Sequence, residues 1–117
     1  MKHIRYIGFL FLFILVNAQK SEPEEVLFIG NSFTFYFNLP LVVESMAKEK
    51  GIPLDVSQST AGGASLKDHW SGKRKLSTRS LIQKKSFSKV VLQDYSTNPV
   101  MKTEESLSYF NKFIKLL

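Results

Sequence analysis

The stretch from Glu24 to Pro40, "EEVLFIGNSFTFYFNLP", decides how the rest of the chain is read. Four consecutive apolar residues, Val26 to Ile29, run without alternation into Gly30-Asn31-Ser32. An unbroken apolar run bounded by turn formers suits a parallel strand buried on both faces. Beyond the break a helical period starts. Leu39, Val42, Val43, Met46 and Ala47 recur at helical spacing, and Glu44, Lys48 and Glu49 fall on the other side. Asn38 is placed to cap this helix, Pro40 suits its first turn, and Gly51 suits the left-handed residue that ends it. A strand that stops on Gly-Asn-Ser sets a small hydroxyl, Ser32, at its carboxyl end.

Downstream the pattern repeats. "IPLDVSQS" (52–59) alternates Leu54 and Val56 with polar neighbours, which predicts a second, more exposed strand. "TAGGAS" (60–65) reads as a loop, and Ser65 with Asp68 forms a capping box that opens a short helix through Trp70. "KVVLQDYS" (89–96) holds a third strand, Val90 to Gln93. The last helix, in "TEESLSYFNKFIKLL", is read with Thr103 as cap and Leu107, Phe110, Phe113 and Ile114 inward. The order β-α-β-α-β-α predicts an α/β fold, a parallel sheet between helices with right-handed crossovers.

Upstream, "MKHIRYIGFLFLFILVNA" (1–18) has a basic start, an apolar core from Tyr6 to Val16 and Val-Asn-Ala before Gln19. That is the three-part pattern of a signal peptide, and it predicts a secreted or periplasmic protein without stable membrane insertion after cleavage. The apolar core falls short of the roughly 20 residues that span a bilayer. An uncleaved anchor and a buried core helix are the alternatives. Residues 19–25, "QKSEPEE", read as a linker, leaving 26–117 as the domain.

The chain has 117 residues, a net charge of +6, two His and no Cys. Without Lys2 and Arg5 the charge falls from +6 to +4, so part of the basicity belongs to the leader. No disulfide or cysteine anchor is possible, and with His3 in the leader only His69 and carboxylates remain for a metal, so no metal or other cofactor is expected. The basic residues Lys73, Arg74, Lys75, Arg79, Lys84, Lys85 and Lys89 lack interleaved aromatics and any reader motif, so the segment reads as a solvated face rather than a nucleic-acid surface.

In a doubly wound sheet, ligands gather beyond the carboxyl ends of the strands. Three loops meet there: Gly30-Asn31-Ser32, Gly62-Gly63, and Gln93 to Asn98. Singly, Ser32 fits a turn residue and the glycine pair a flexible link. Together they offer a hydroxyl nucleophile, the N–H groups of Ser32 and Gly63 for a developing oxyanion, and an amide from Asn98 or Gln93.

Three blocks, "VLFIGNSFTFY" (26–36), "AGGASLKDHW" (61–70) and "VVLQDYSTNP" (90–99), resemble the SGNH (GDSL-like) hydrolases, in the branch whose first block is Gly-Asn-Ser-Phe-Thr. The resemblance covers most of the chain after the leader. It implies a three-layer α/β/α, flavodoxin-like fold with strand order 2-1-3, which leaves the third strand at an open edge. It implies Ser32 as nucleophile, an oxyanion hole from Ser32, the Gly62-Gly63 loop and an Asn, and an ester of a small molecule or carbohydrate as substrate. The third block departs from the family's Gly-x-Asn: Tyr95 or Ser96 stands where Gly is expected, so Asn98 and Gln93 both remain open for the Asn role. Asn31, Gly62, His69 and Gln93 are read as substrate-side residues. Trp70 fits either the core or a sugar-stacking role.

The family's Asp-x-x-His block, which supplies the general base, is not found in this sequence. The final helix also runs uncapped to Leu117. The expectation is therefore a fold truncated after about three strands, the N-terminal part of a longer esterase and inactive by itself. The alternative is a non-catalytic module holding a glycan or an anion in the same crevice.

Overall fold

The computed structural model describes residues 21–117. The expected leader (1–18) and its cleavage before Gln19 lie outside the described residues. Strand β1 (Glu24–Gly30) leads into a one-turn helix α1 (Ser32–Phe35), a 3-10 turn (Tyr36–Asn38) and helix α2 (Leu39–Glu49). Strand β2 (Leu54–Thr60) is followed by α3 (Leu66–Ser71), a 3-10 turn (Lys73–Lys75) and α4 (Thr78–Lys84). Strand β3 (Lys89–Leu92) then precedes α5 (Asn98–Met101) and α6 (Thr103–Ile114).

The three strands form one parallel sheet in the order β2-β1-β3. Val26 lies opposite Val56 and Lys89, and Ile29 opposite Ser59 and Leu92. The α/β expectation and the 2-1-3 order therefore describe the molecule. The unbroken apolar run has its cause here: β1 is the central strand, and Val26, Leu27, Phe28 and Ile29 are all buried. Side chains alternate across a strand, so Leu27 and Ile29 share one face. They pack with Leu66 of α3 and Phe113 of α6, rimmed by Trp70, Leu81, Val90, Leu92 and Phe110. Trp70, half-buried, meets Phe113 edge to face at 5.3 Å and so packs against the core.

The chain winds from β1 to β2 in one direction and from β2 across β1 to β3 in the other. Right-handed crossovers then set α2 on one face, and α3 and α4 on the opposite one. Gly51 closes α2 as expected. With φ +70° it lets its N–H reach Lys48 O at 3.0 Å and the Ile52 N–H reach Ala47 O at 2.9 Å, the paired bonds of a left-handed helix stop. The Ser65–Asp68 capping box also forms as read.

Several local readings are corrected. The strand starts at Glu24, so Glu24 and Glu25 belong to the sheet and not to a linker. Asn38 is left-handed (φ 55°) and makes no side-chain cap. On α2 the inward stripe is Pro40, Val43, Glu44 and Ala47, while Leu39, Val42 and Met46 are exposed. The period is helical but rotated by one residue. Glu44 turns towards the edge strand because its Oε1 accepts the outward Val56 N–H at 3.0 Å. Thr103 is the first residue of α6 and not its cap; its hydroxyl donates back to Pro99 O at 2.9 Å. Leu107 and Ile114 are exposed, because α6 meets the core only along the side carrying Ser106, Phe110 and Phe113. Gln93 lies one residue past the end of β3.

Candidate functional site

Each strand delivers its carboxyl end to a common region, and side chains knot the three loops together there. Asn31 is buried and caps α1, its Oδ1 accepting the Phe33 N–H at 3.1 Å. Its Nδ2 donates to Ala64 O (3.0 Å) in the loop after β2 and to Asp94 O (3.2 Å) in the loop after β3. Gln93 answers with Nε2 donating to Asn31 Oδ1 (2.9 Å) and Asp94 O (3.0 Å). Gln93 Oε1 accepts the Asn31 N–H (3.2 Å) and the Thr34 hydroxyl (2.7 Å). Both amides, expected on the substrate side, are consumed in holding backbone.

Gly30 is required by this arrangement. A Cβ there would lie 2.1 Å from Thr34 Oγ1 and 2.7 Å from Gln93 Oε1, so the Thr34–Gln93 bond closes over a hydrogen atom. Gly63 has φ +65° in a turn closed by Ala64 N–H to Ala61 O at 3.1 Å, a conformation that glycine adopts at little cost. Gly62 beside it is exposed.

Ser32 opens α1 and is half-buried. Its carbonyl accepts the Tyr36 N–H. Neither its hydroxyl nor its N–H hydrogen-bonds another of the described residues. The Asn31 side chain is bonded to the Ala64 carbonyl, so the residue before Ser32 is tied to the residue after Gly63. Asn98 is the half-buried first residue of α5, its Nδ2 donating to Asp94 Oδ1 at 3.3 Å. Asn98 and Gly63 line a groove of about 580 Å³ whose walls do not include Ser32 or Gln93.

His69 is 1% exposed and turned inward. Its Nε2 lies 2.9 Å from Gly30 O, a pure acceptor, so Nε2 carries the proton. Nδ1 then accepts from the Thr78 hydroxyl at 2.7 Å, and Ser59 Oγ donates to Thr78 Oγ1 at 2.8 Å. Burial pushes the His69 pKa below its ordinary value, against the opposing pull of the Gly30 carbonyl and the charges of Asp68 and Asp94. It is a neutral clamp on the end of β1, with no nitrogen left for Ser32.

Asp94 has a role that the sequence reading missed. It is 6% exposed, and Oδ1 accepts from Leu66 N (2.9 Å), Tyr95 N (2.7 Å) and Asn98 Nδ2. Its Oδ2 accepts the Ser106 hydroxyl at 2.7 Å. One carboxylate thus joins the β3 loop to α3, α5 and α6. The available signal was a single Asp directly after an apolar strand.

Four of the seven basic residues from Lys73 to Lys89 lie against partners. Arg74 faces Asp68 at 3.7 Å, Lys85 reaches Glu25 at 2.6 Å, Lys89 pairs with Glu24, and Arg79 lies 5.1 Å over Trp70. Among the described residues, no group of His, Cys, Asp and Glu is placed to hold a metal ion. Among them, too, no helix is long and apolar enough to cross a membrane. No protein-family model matches the chain, and no curated protein or solved structure gives a significant match.

Proposed function

We propose that this chain carries the nucleophile of a secreted serine esterase, acting on acetyl or other acyl esters of carbohydrates. Ser32 Oγ attacks the ester carbonyl, the alkoxide leaves, and water releases the acid from the acyl-serine. The N–H groups of Ser32 and Gly63, with the Asn98 amide, are the donors offered to the oxyanion. The observation that carries this reading is the Asn31 knot. A buried, fully bonded asparagine holds a serine with an unengaged hydroxyl and N–H at the carboxyl end of a central parallel strand.

A serine hydroxyl needs a general base. The described residues hold one histidine, and both its nitrogens are committed. His69 is therefore not that base, and residues 21–117 by themselves should turn over no ester through Ser32. Hydrolysis of p-nitrophenyl acetate by the product of the complete reading frame tests this. Ser32→Ala should lower kcat/KM by about 10³-fold or more. Activity that survives Ser32→Ala overturns the nucleophile assignment. Ser32-dependent turnover by residues 21–117 alone overturns the claim about the base.

One feature favours a second reading, a non-catalytic glycan- or anion-binding module. The groove holding Gly63 and Asn98 is walled by lysines and an arginine and does not reach Ser32. Glycan binding unchanged by Ser32→Ala, in a protein without esterase activity, would support the module over the enzyme.

A further inference from the structure

We infer that the groove between α3 and the β3–α5 loop binds an anionic saccharide, with Arg74 as the residue that selects its charge. The proposal rests on the carbohydrate reading above for its ligand class, while its charge selection rests on Lys73, Arg74 and Lys102, which that reading does not use. Its lining includes Gly63, Lys73 and Arg74 together with Tyr95, Asn98 and Lys102. Tyr95 is half-exposed and offers an aromatic face for a sugar ring, and the Asn98 amide beside it suits a ring hydroxyl.

The charge is unbalanced in the groove. Four cations (Lys67, Lys73, Arg74, Lys102) face two carboxylates, Asp68 and Glu105. Both carboxylates are already engaged. Glu105 takes Lys67 at 2.7 Å. Asp68 Oδ2 takes the Ser65 N–H at 3.1 Å and hydroxyl at 3.0 Å, as the cap of α3. Burial disfavours the Asp68 charge, but Ser65, Arg74 and Lys73 outweigh it and hold the carboxyl below its ordinary range. Lys73 and Lys102 have no carboxylate within ion-pair distance among the described residues.

Arg74 lies 3.7 Å from Asp68 through Nε and makes no side-chain hydrogen bond to another of the described residues, so its guanidinium donors are open. The guanidinium fork lies over the glycine loop, with Nη2 3.8 Å from where a Cβ on Gly63 would sit. Arg74 and the next residue, Lys75, both hold left-handed backbone (φ 55° and 60°), a strained conformation for side-chain-bearing residues. The strained turn aims the fork at the groove. A planar, doubly donating cation matches a carboxylate or a sulfate.

Calorimetric titration of the full chain with trigalacturonate, a sulfated trisaccharide and neutral maltotriose tests the proposal. At least one anionic probe should bind roughly tenfold tighter than maltotriose, with affinity falling as salt rises. The anionic probe that binds identifies the charge as carboxylate or sulfate. Arg74→Gln, with Lys73→Gln and Lys102→Gln as further variants, should remove that preference while unfolding transitions stay in place. Ser32→Ala should leave binding unchanged, which separates this proposal from the nucleophile assignment. Equal binding of all three probes, binding of none, or a charge preference that survives all three Gln variants overturns it.

Discussion

Gln93 and Asn31 are bonded to each other twice: Gln93 Nε2 donates to Asn31 Oδ1 at 2.9 Å, and the Asn31 N–H donates to Gln93 Oε1 at 3.2 Å. This reciprocal pair joins the ends of β1 and β3, sixty-two residues apart in sequence. Removing either side chain leaves buried backbone groups without partners. Asn31→Ala orphans the Ala64 carbonyl and the Phe33 N–H, leaves the Asp94 carbonyl to Gln93 Nε2 alone, and should cost about 2–4 kcal/mol. Urea unfolding of Asn31→Ala, Gln93→Ala and the double variant should give a coupling of about 1 kcal/mol or more. Additive, sub-kilocalorie losses would mean that the pair does not hold the loops.

Gly30→Ala places a methyl group into the Thr34–Gln93 hydrogen bond and should destabilise by about 2–3 kcal/mol. Adding Thr34→Ala removes the nearest clashing atom and should recover part of that loss. A neutral Gly30→Ala in thermal unfolding would show that the site has room the structure does not give it.

The His69 pKa is lowered, mainly by burial, from an ordinary value of 6.5. The unfolded chain therefore takes up a proton on this residue at a higher pH than the native chain does. The stability that neutral His69 contributes is present above about pH 6.5 and is lost as pH falls from there through the native pKa. Nitrogen-15 NMR should show the Nε2–H tautomer at neutral pH and a native titration midpoint below that of the unfolded chain. A midpoint at or above 6.5 would contradict the clamp.

β3 pairs with β1 on one side only, and Val91 on it is half-exposed. An apolar edge strand is a template for pairing with another chain. Residues 21–117 should self-associate in sedimentation, and Val91→Lys should shift them towards monomer without loss of the folded circular-dichroism signal. A wild-type chain that stays monomeric at high concentration would remove the edge as a liability.

The elements legible in the sequence were those fixed by neighbours along the chain. Val26–Ile29 read as a doubly buried strand, Ser65–Asp68 as a capping box and Gly51 as a helix stop, each set by a span of a few residues. The α2 face was misread because helical spacing fixes a period but not which rotation of it meets the sheet. That rotation is set across the fold, where Pro40, Val43 and Ala47 turn inward and Glu44 accepts the Val56 N–H twelve residues away. At the site, Ser32 and Gly63 stood out by residue type. The roles of Asn31, Gln93 and His69 were not legible, because each is set by partners thirty to sixty residues away. The role of Asp94 is hidden for the same reason, since its partners Leu66 and Ser106 lie twenty-eight and twelve residues away.

The most direct test of the central claim is to find the acyl group. The product of the complete reading frame is mixed briefly with p-nitrophenyl acetate, quenched in acid and mapped by peptide mass spectrometry. The account predicts a single acetyl group on Ser32, absent from Ser32→Ala. Continued hydrolysis with no acetyl on Ser32, or with the label on another residue alone, would contradict it.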